Sequence, residues 1–370
     1  MKIVIASGTY PPAIGGMATF VQRLAQLLQE SGVNVAVVAY GQDDRTQQVP
    51  YLVRLVSRKG LKLVRYWRYF RTVLNLARRA DFIYAQDLVS AGFPAAVVSL
   101  VLRKKLVLRL GGDFLWEKMV EEGKTSGPLW NYYQQPKGLL ESCYLQVYHF
   151  VLNRSQLVIF NSQRQADLYR TTFAKQLHQF KVIVNPWLGL ISQNANWRKG
   201  NLVYAGRLIK LKNLDLLIRA YQRTGASQKL LLVGEGPQES NLRSQIRKLG
   251  LEQKILLTGP MLPEQLTALL AESYLMIVPS LTELNPNVVL EALSLGLPVL
   301  LTRENGLASE VNKELVTFDP SSEADLAEKL KFLLDENATR AYRKKIQNLR
   351  FSQTWEKVLA EHLQFFKSLL

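Results

Sequence analysis

The chain has 370 residues, more than one ordinary core holds, and this length suits two domains. Its hydrophobic fraction of 48% is that of a soluble globular protein, and its one cysteine, Cys143, excludes an internal disulfide and fits a reducing compartment. The net charge of +17 is unevenly placed: residues 1–195 hold 24 Lys/Arg against 11 Asp/Glu.

In chain order, "KIVIAS" (2–7) reads as a buried strand. The opening does not read as a signal peptide, because its apolar run is short and gives way to Tyr-Pro-Pro, and none is expected. A glycine loop, "YPPAIGG", leads into a helix with Phe20, Val21, Leu24, Leu27 and Leu28 on one face, and Gly32 stops it before the strand "VNVAVVAY" (33–40). The segment 54–79 has nine basic residues, four aromatics and no acid. Val64, Trp67, Phe70, Leu74 and Ala77 recur there at near-helical spacing, beside a stripe of Lys62, Arg65, Arg68 and Arg71. Two readings stand: an interfacial helix drawn to anionic lipid, or an amphipathic helix whose apolar face is core. No nucleic-acid recognition motif accompanies the patch, so a nucleic-acid partner is not expected. "AGFPAAVVSLVL" (91–102) falls short of the roughly 20 residues of a membrane span and reads as a buried helix.

Further apolar runs at 82–87, 106–110, 157–162 and 181–185, mostly separated by helical stretches, suit a parallel sheet covered on both faces. After a linker at 186–200 the pattern restarts: "NLVYAG", "KLLLVG", "KILLTG", "YLMIVPS" and "PVLLT" alternate with helical windows at 212–222, 237–249, 263–271 and 287–295. The expected fold class is therefore α/β, with two doubly wound Rossmann-like domains whose ligands bind beyond the carboxyl ends of the strands. The C-terminal stretch 351–370 reads as a helix with Trp355, Leu359, Leu363 and Phe366 along one side, long enough to pack across both domains.

Four groups of residues have the chemistry of a site. Gly15 and Gly16 precede a helix, where free N–H groups favour an anion, although two such glycines are also an ordinary turn. That loop has no G-x-G-x-x-G, which argues against a dinucleotide dehydrogenase. Arg207 and Lys212 follow a strand and lead into a helix, so they suit a diphosphate or a solvated basic loop equally well. Glu283 lies in the loop before a helix that begins at Asn287 or a neighbour, and Glu291 lies within that helix. Both carboxylates suit paired hydroxyls and the helix start between them suits a phosphate. A surface glutamate on an amphipathic helix is the commoner fate of such a residue, but the almost wholly apolar stretch 288–301 sets Glu291 against a crowded surface, where a carboxylate needs a partner. Three scattered histidines and one cysteine make no metal site.

Nearly end to end, the chain resembles retaining glycosyltransferases of family four, through "YPPAIGGMATFVQRLAQLL", "VIFNS", "GRLIKLKNLDLLIRAY", "LLLVGEGPQESNLRSQI" and "PSLTELNPNVVLEALSLGLPVLLT". The last carries the family's Glu-x7-Glu pattern and is the most specific. The resemblance implies the GT-B architecture, two facing Rossmann-like domains with the interdomain cleft as active site. Residues 1–190, joined by a C-terminal helix at 352–370, would form the acceptor-side domain, and 198–351 the nucleotide-sugar domain. It further implies that Gly15 and Gly16 sit at the donor diphosphate and that Arg207 and Lys212 bind it and assist its departure. Glu283 would contact sugar hydroxyls, Glu291 the ribose hydroxyls, Asn287 the donor, and the backbone at Pro260–Met261 the base.

No metal or other cofactor is implied. The expected partners are a nucleotide-sugar donor, a glycan or lipid-linked acceptor, and an anionic membrane surface through 54–79. The expected location is cytoplasmic, peripheral at the inner face of a membrane. Two departures accompany the match. The stretch 105–119 lacks the family's histidine, leaving Asp113 either as its acceptor-side substitute or as a turn aspartate. Leu284-Asn285-Pro286 replaces the usual Gly-Phe-Gly, which fits a different sugar pocket or impaired chemistry. The aromatic segment 112–150 is either an acceptor surface or a packed helical excursion. A nucleotide-sugar epimerase and a non-catalytic membrane- or polyanion-binding protein are the alternative functions.

Overall fold

Short runs of valine, isoleucine and leucine bounded by glycines and polar turns become strands, and most of them are followed by a helix that covers the sheet. The computed structural model describes residues 1–13, 15–41, 49–187, 200–349 and 352–370. It divides into two units: Met1–Leu115, Tyr133–Asn185 and Trp355–Leu370 form the N unit, and Trp116–Tyr132 with Pro186–Thr354 form the C unit. Most of the expected linker at 186–200 lies outside the described residues.

In the N unit seven strands form one parallel sheet: β1 Lys2–Ser7, β2 Asn34–Tyr40, β3 Leu52–Val56, β4 Phe82–Ala85, β5 Lys105–Leu110, β6 Leu157–Phe160 and β7 Phe180–Val182. Their order is β3-β2-β1-β4-β5-β6-β7. The C unit repeats the plan with β8 Leu202–Ala205, β9 Leu230–Val233, β10 Ile255–Gly259, β11 Leu275–Val278, β12 Val299–Thr302 and β13 Val316–Phe318. Their order is β10-β9-β8-β11-β12-β13. Both are doubly wound α/β sheets, and the strand order reverses between β1 and β4 in one and between β8 and β11 in the other. Loops leaving the carboxyl ends at such a reversal diverge and open a crevice.

One helix divides the apolar residues that its sequence spacing grouped together, and two others show how far they are buried. In the helix Lys62–Ala77 the buried side chains are Tyr69, Val73 and Ala77. Tyr69 donates to the Ser7 and Val38 carbonyls at 3.0 Å each, so a tyrosine left out of the apolar count anchors the helix. Val64 and Trp67 instead stand 39% and 58% exposed, among the arginines. The C-terminal helix Trp355–Ser368 belongs to the N unit and buries Val358, His362 and Phe366, with the expected Trp355, Leu359 and Leu363 partly buried against the same core. The helix Gly92–Leu102 forms as expected but is only partly buried: Leu100 and Val101 are more than half exposed. No helix among the described residues is long and apolar enough to cross a membrane.

Candidate active site

The loops after β8 and β11 flank the reversal in the C-unit sheet, and four expected residues ride on these loops and the helix after β11. After β8 the backbone passes through Arg207, makes a short 3-10 turn over Lys210–Lys212 and enters the helix Leu214–Thr224. Asn213 links the two at φ 53°, and its side-chain amide donates to the Pro320 carbonyl at 2.9 Å. A polar side chain that tolerates the left-handed region suits this corner. Next to it, the loop "GEG" after β9 runs so close that a Cβ on Gly234 or Gly236 would lie 2.0 or 2.3 Å from the Gly206 or Leu208 carbonyl oxygen. Glycine here lets one backbone support the other: Leu208 N–H donates to Glu235 O at 2.8 Å, and Gln238 N–H to Leu208 O at 3.0 Å.

The Arg207 side chain is exposed. Lys212 Nζ lies 2.5 Å from Glu283 Oε1, which also accepts from Ser280 Oγ at 2.5 Å. Two residues far apart in sequence thus meet as a charge-assisted pair, with side chains 21% and 11% exposed. Glu283 is held by its backbone too, which donates to the Glu304 carbonyl at 2.8 Å. The helix Asn287–Ser294 starts just beyond, with Pro286 as its cap and no acidic side chain in its first turn. Val289, Leu290, Ala292, Leu293 and Ser294 are buried, and Glu291 is the exposed position between them. Its outer surface meets solvent, yet the protein around it desolvates the carboxyl enough to raise its pKa. Met261 follows β10, half-buried against the C-unit core.

In the N unit, Gly15 caps the helix Gly16–Glu30, which has no side-chain cap and no acidic residue in its first turn. Gly15 adopts φ 150°, and a Cβ there would meet nothing within 4 Å, so packing within the protein does not demand a glycine. Asp113 is 1% exposed and accepts from Tyr133 and Tyr169 at 2.7 Å and from Tyr148 at 3.4 Å. It ties the helices of the aromatic segment to the end of β5, which is more than a turn aspartate and leaves its carboxylate turned inward. Sequence reasoning gave no role to Ser280, Thr282, Glu304 or Glu121, and took Trp130 only as one of the aromatics of the segment 112–150. Ser280 and Thr282 carried a signal in lying inside the quoted motif.

Residues 15–186 match the family model described as Glycosyl transferase 4-like domain, and residues 192–349 match Glycosyl transferases group 1. An uncharacterized glycosyltransferase of Methanocaldococcus jannaschii is 25% identical over 346 residues, covering 85% of this chain and 84% of its own. A Campylobacter jejuni protein, N-acetylgalactosamine-N,N'-diacetylbacillosaminyl-diphospho-undecaprenol 4-alpha-N-acetylgalactosaminyltransferase, is 33% identical over 150 residues, 39% of this chain and 40% of that one. Among solved structures, Anabaena Alr3699/HepE in complex with UDP and glucose superposes with a TM-score of 0.78 at 19% identity over the whole of both chains. Sucrose-phosphate synthase from Thermosynechococcus elongatus does so at 0.77 and 18%, over 100% of this chain and 98% of its own. At those identities the structural likeness concerns the fold. With the two sheets and both family models, it places the chain among the GT-B glycosyltransferases of the family-four type.

Proposed function

We propose that the chain moves a hexose from a nucleoside-diphosphate sugar to a hydroxyl of a glycan or lipid-linked acceptor, with retention of anomeric configuration and without a metal. The observation that carries this reading is the meeting of Lys212 and Glu283 from the two loops that flank the strand-order reversal of the C unit, with Arg207 on the same loop as Lys212. Arg207 and Lys212 neutralise the diphosphate as the bond from C1 to its oxygen breaks, which lowers the barrier where charge develops. The acceptor oxygen attacks from the face the diphosphate leaves, and its proton passes to the departing phosphate oxygen. Glu283 accepts from sugar hydroxyls and orients the ring while its pair with Lys212 loosens toward the phosphate. Glu291 accepts from the ribose hydroxyls, and the start of the helix at Asn287 faces phosphate.

Support for the donor class comes from the nucleotide sugar named with the Anabaena protein, and for a lipid-linked acceptor from the name of the Campylobacter relative. The exposed Trp67 and Val64 among Arg65, Arg68 and Arg71 favour a peripheral site on an anionic membrane surface. The test is acceptor-dependent release of nucleoside diphosphate from UDP-, GDP- and ADP-sugars, with the product's anomeric configuration read by NMR. Lys212→Ala is expected to cut turnover about a hundredfold, in the range for losing one charge-stabilising donor. Undiminished turnover would remove Lys212 from the mechanism, an inverted product would refute retention, and an isomerised donor formed without acceptor would favour an epimerase.

A further inference from the structure

We infer that residues 116–132 act as a strap that holds the cation-bearing loop and the carboxylate-bearing loop of the C unit in register, with Glu121 and Trp130 as positioning residues. The inference rests on the reading of those loops as a transfer site. The chain leaves the N unit after Leu115, runs through this strap as part of the C unit, and re-enters the N unit at Tyr133. An excursion that only filled space would bury apolar side chains. This one also spends polar groups on two particular loops.

The first attachment is a cap. The Lys210–Lys212 turn begins at Ile209, which offers no side-chain acceptor, so its leading N–H groups need one from elsewhere. Glu121 supplies it, with Oε1 accepting from Leu211 N–H at 3.0 Å and Oε2 from Lys210 N–H at 3.3 Å. A carboxylate across two successive N–H groups is a charge-assisted contact, and it sits one residue from Lys212. The second attachment is at the other loop. Leu129 N–H donates to Thr282 Oγ1 at 3.0 Å, and the Trp130 indole N–H donates to the Glu304 carboxylate. Glu304 is the residue whose carbonyl accepts the Glu283 N–H, so both bonds act on the neighbours of Glu283. A further bond, Leu281 N–H to Leu211 O at 3.0 Å, joins the two loops directly. The strap is closed on itself by the Trp116 indole N–H donating to Gly127 O at 3.1 Å, and it turns at Gly123, whose φ is 72°. Its two ends therefore grip the residues flanking the Lys212–Glu283 pair. A displacement of these side chains by about 1 Å is enough to cost on the order of a hundredfold in rate.

The test compares Glu121→Ala, Glu121→Gln and Trp130→Phe by hydrogen exchange and by steady-state turnover of the nucleotide sugar. For Glu121→Ala, exchange in peptides covering 207–213 should rise about tenfold while the β9 peptide stays as in the wild type. Turnover number should fall about tenfold or more with little change in KM, since binding contacts remain and alignment is lost. Glu121→Gln keeps one acceptor oxygen and should recover part of both. Trp130→Phe should show its effect in peptides covering 281–286. Wild-type exchange and turnover in all three variants would overturn the proposal, as would a uniform rise in exchange that includes β9 and tracks a lower Tm. If the wild type turns over no nucleotide sugar but the loop-specific exchange holds, the transferase reading falls while the strap's hold on the loops stands.

Discussion

His362 is fully buried in the N unit, between Tyr84, whose hydroxyl lies 2.9 Å from its Nε2, and the Val358 carbonyl at 2.7 Å from Nδ1. Burial, with Arg109 adding repulsion, lowers its pKa from 6.5 to about 4. The unfolded chain therefore binds more protons than the folded one between these values, so stability rises with pH across that window and is lost as pH falls through it. The full interval corresponds to about 3 kcal/mol for this group. Glu291, whose pKa is raised, acts in the opposite sense, and comparison of two variants that share it cancels its effect. Urea unfolding at pH 7 and pH 4.5 should show a shallower acid loss for His362→Gln than for the wild type. Equal losses would mean that the imidazole takes up its proton as readily in the folded chain as in the unfolded one. Little of this was readable from sequence, where His362 is one of several polar positions in an amphipathic helix and only the i, i+4 company of Val358 and Phe366 points to burial.

The helix Lys62–Ala77 shows how far periodicity reaches at the scale of an element. Its existence and its basic stripe were legible, but the apolar count assigned one face where the structure has two. Tyr69, Val73 and Ala77 face the sheet, while Val64 and Trp67 face outward and Trp67 stacks on Phe70 at 5.5 Å. Leu61 and Leu63 are exposed beside them. The membrane contact proposed for this helix rests on that exposed apolar group lying beside the basic stripe. Each basic residue near an anionic surface contributes about 1 kcal/mol, so changing Arg65, Arg68 and Arg71 together to glutamine should weaken vesicle binding about a hundredfold. Co-sedimentation with phosphatidylglycerol vesicles reads this directly. Binding equal to the wild type would retire the membrane role of this helix. The strap behaves differently as an element. Its attachments are single hydrogen bonds to backbone and to distant side chains, and such contacts leave no periodic trace in the sequence.

The whole molecule repeats one plan twice, and that repetition was the most legible feature: each half starts with a strand, a loop and a helix, and each sheet has its reversal beside the first strand. Position along the chain then put Arg207 and Lys212 after β8 and Glu283 and Glu291 after β11. What sequence left open was their company. The Lys212–Glu283 pair joins positions 71 apart, Asp113 is enclosed by three tyrosines, and residues 116–132 belong to the C unit although they lie within the N-terminal half. These outcomes depend on tertiary contacts that neither propensity nor hydrophobic period encodes. The account as a whole stands on the C unit holding a nucleoside diphosphate through cations, helix start and Glu291. Thermal unfolding of the wild type and Glu291→Ala with UDP, GDP, ADP and no ligand tests this most directly. A ligand at about 100 times its Kd adds about 2.7 kcal/mol, enough to move the Tm by a few degrees. The account predicts that one of the three nucleotides raises the Tm of the wild type and raises that of Glu291→Ala much less. No shift with any nucleotide at saturating concentration would contradict it.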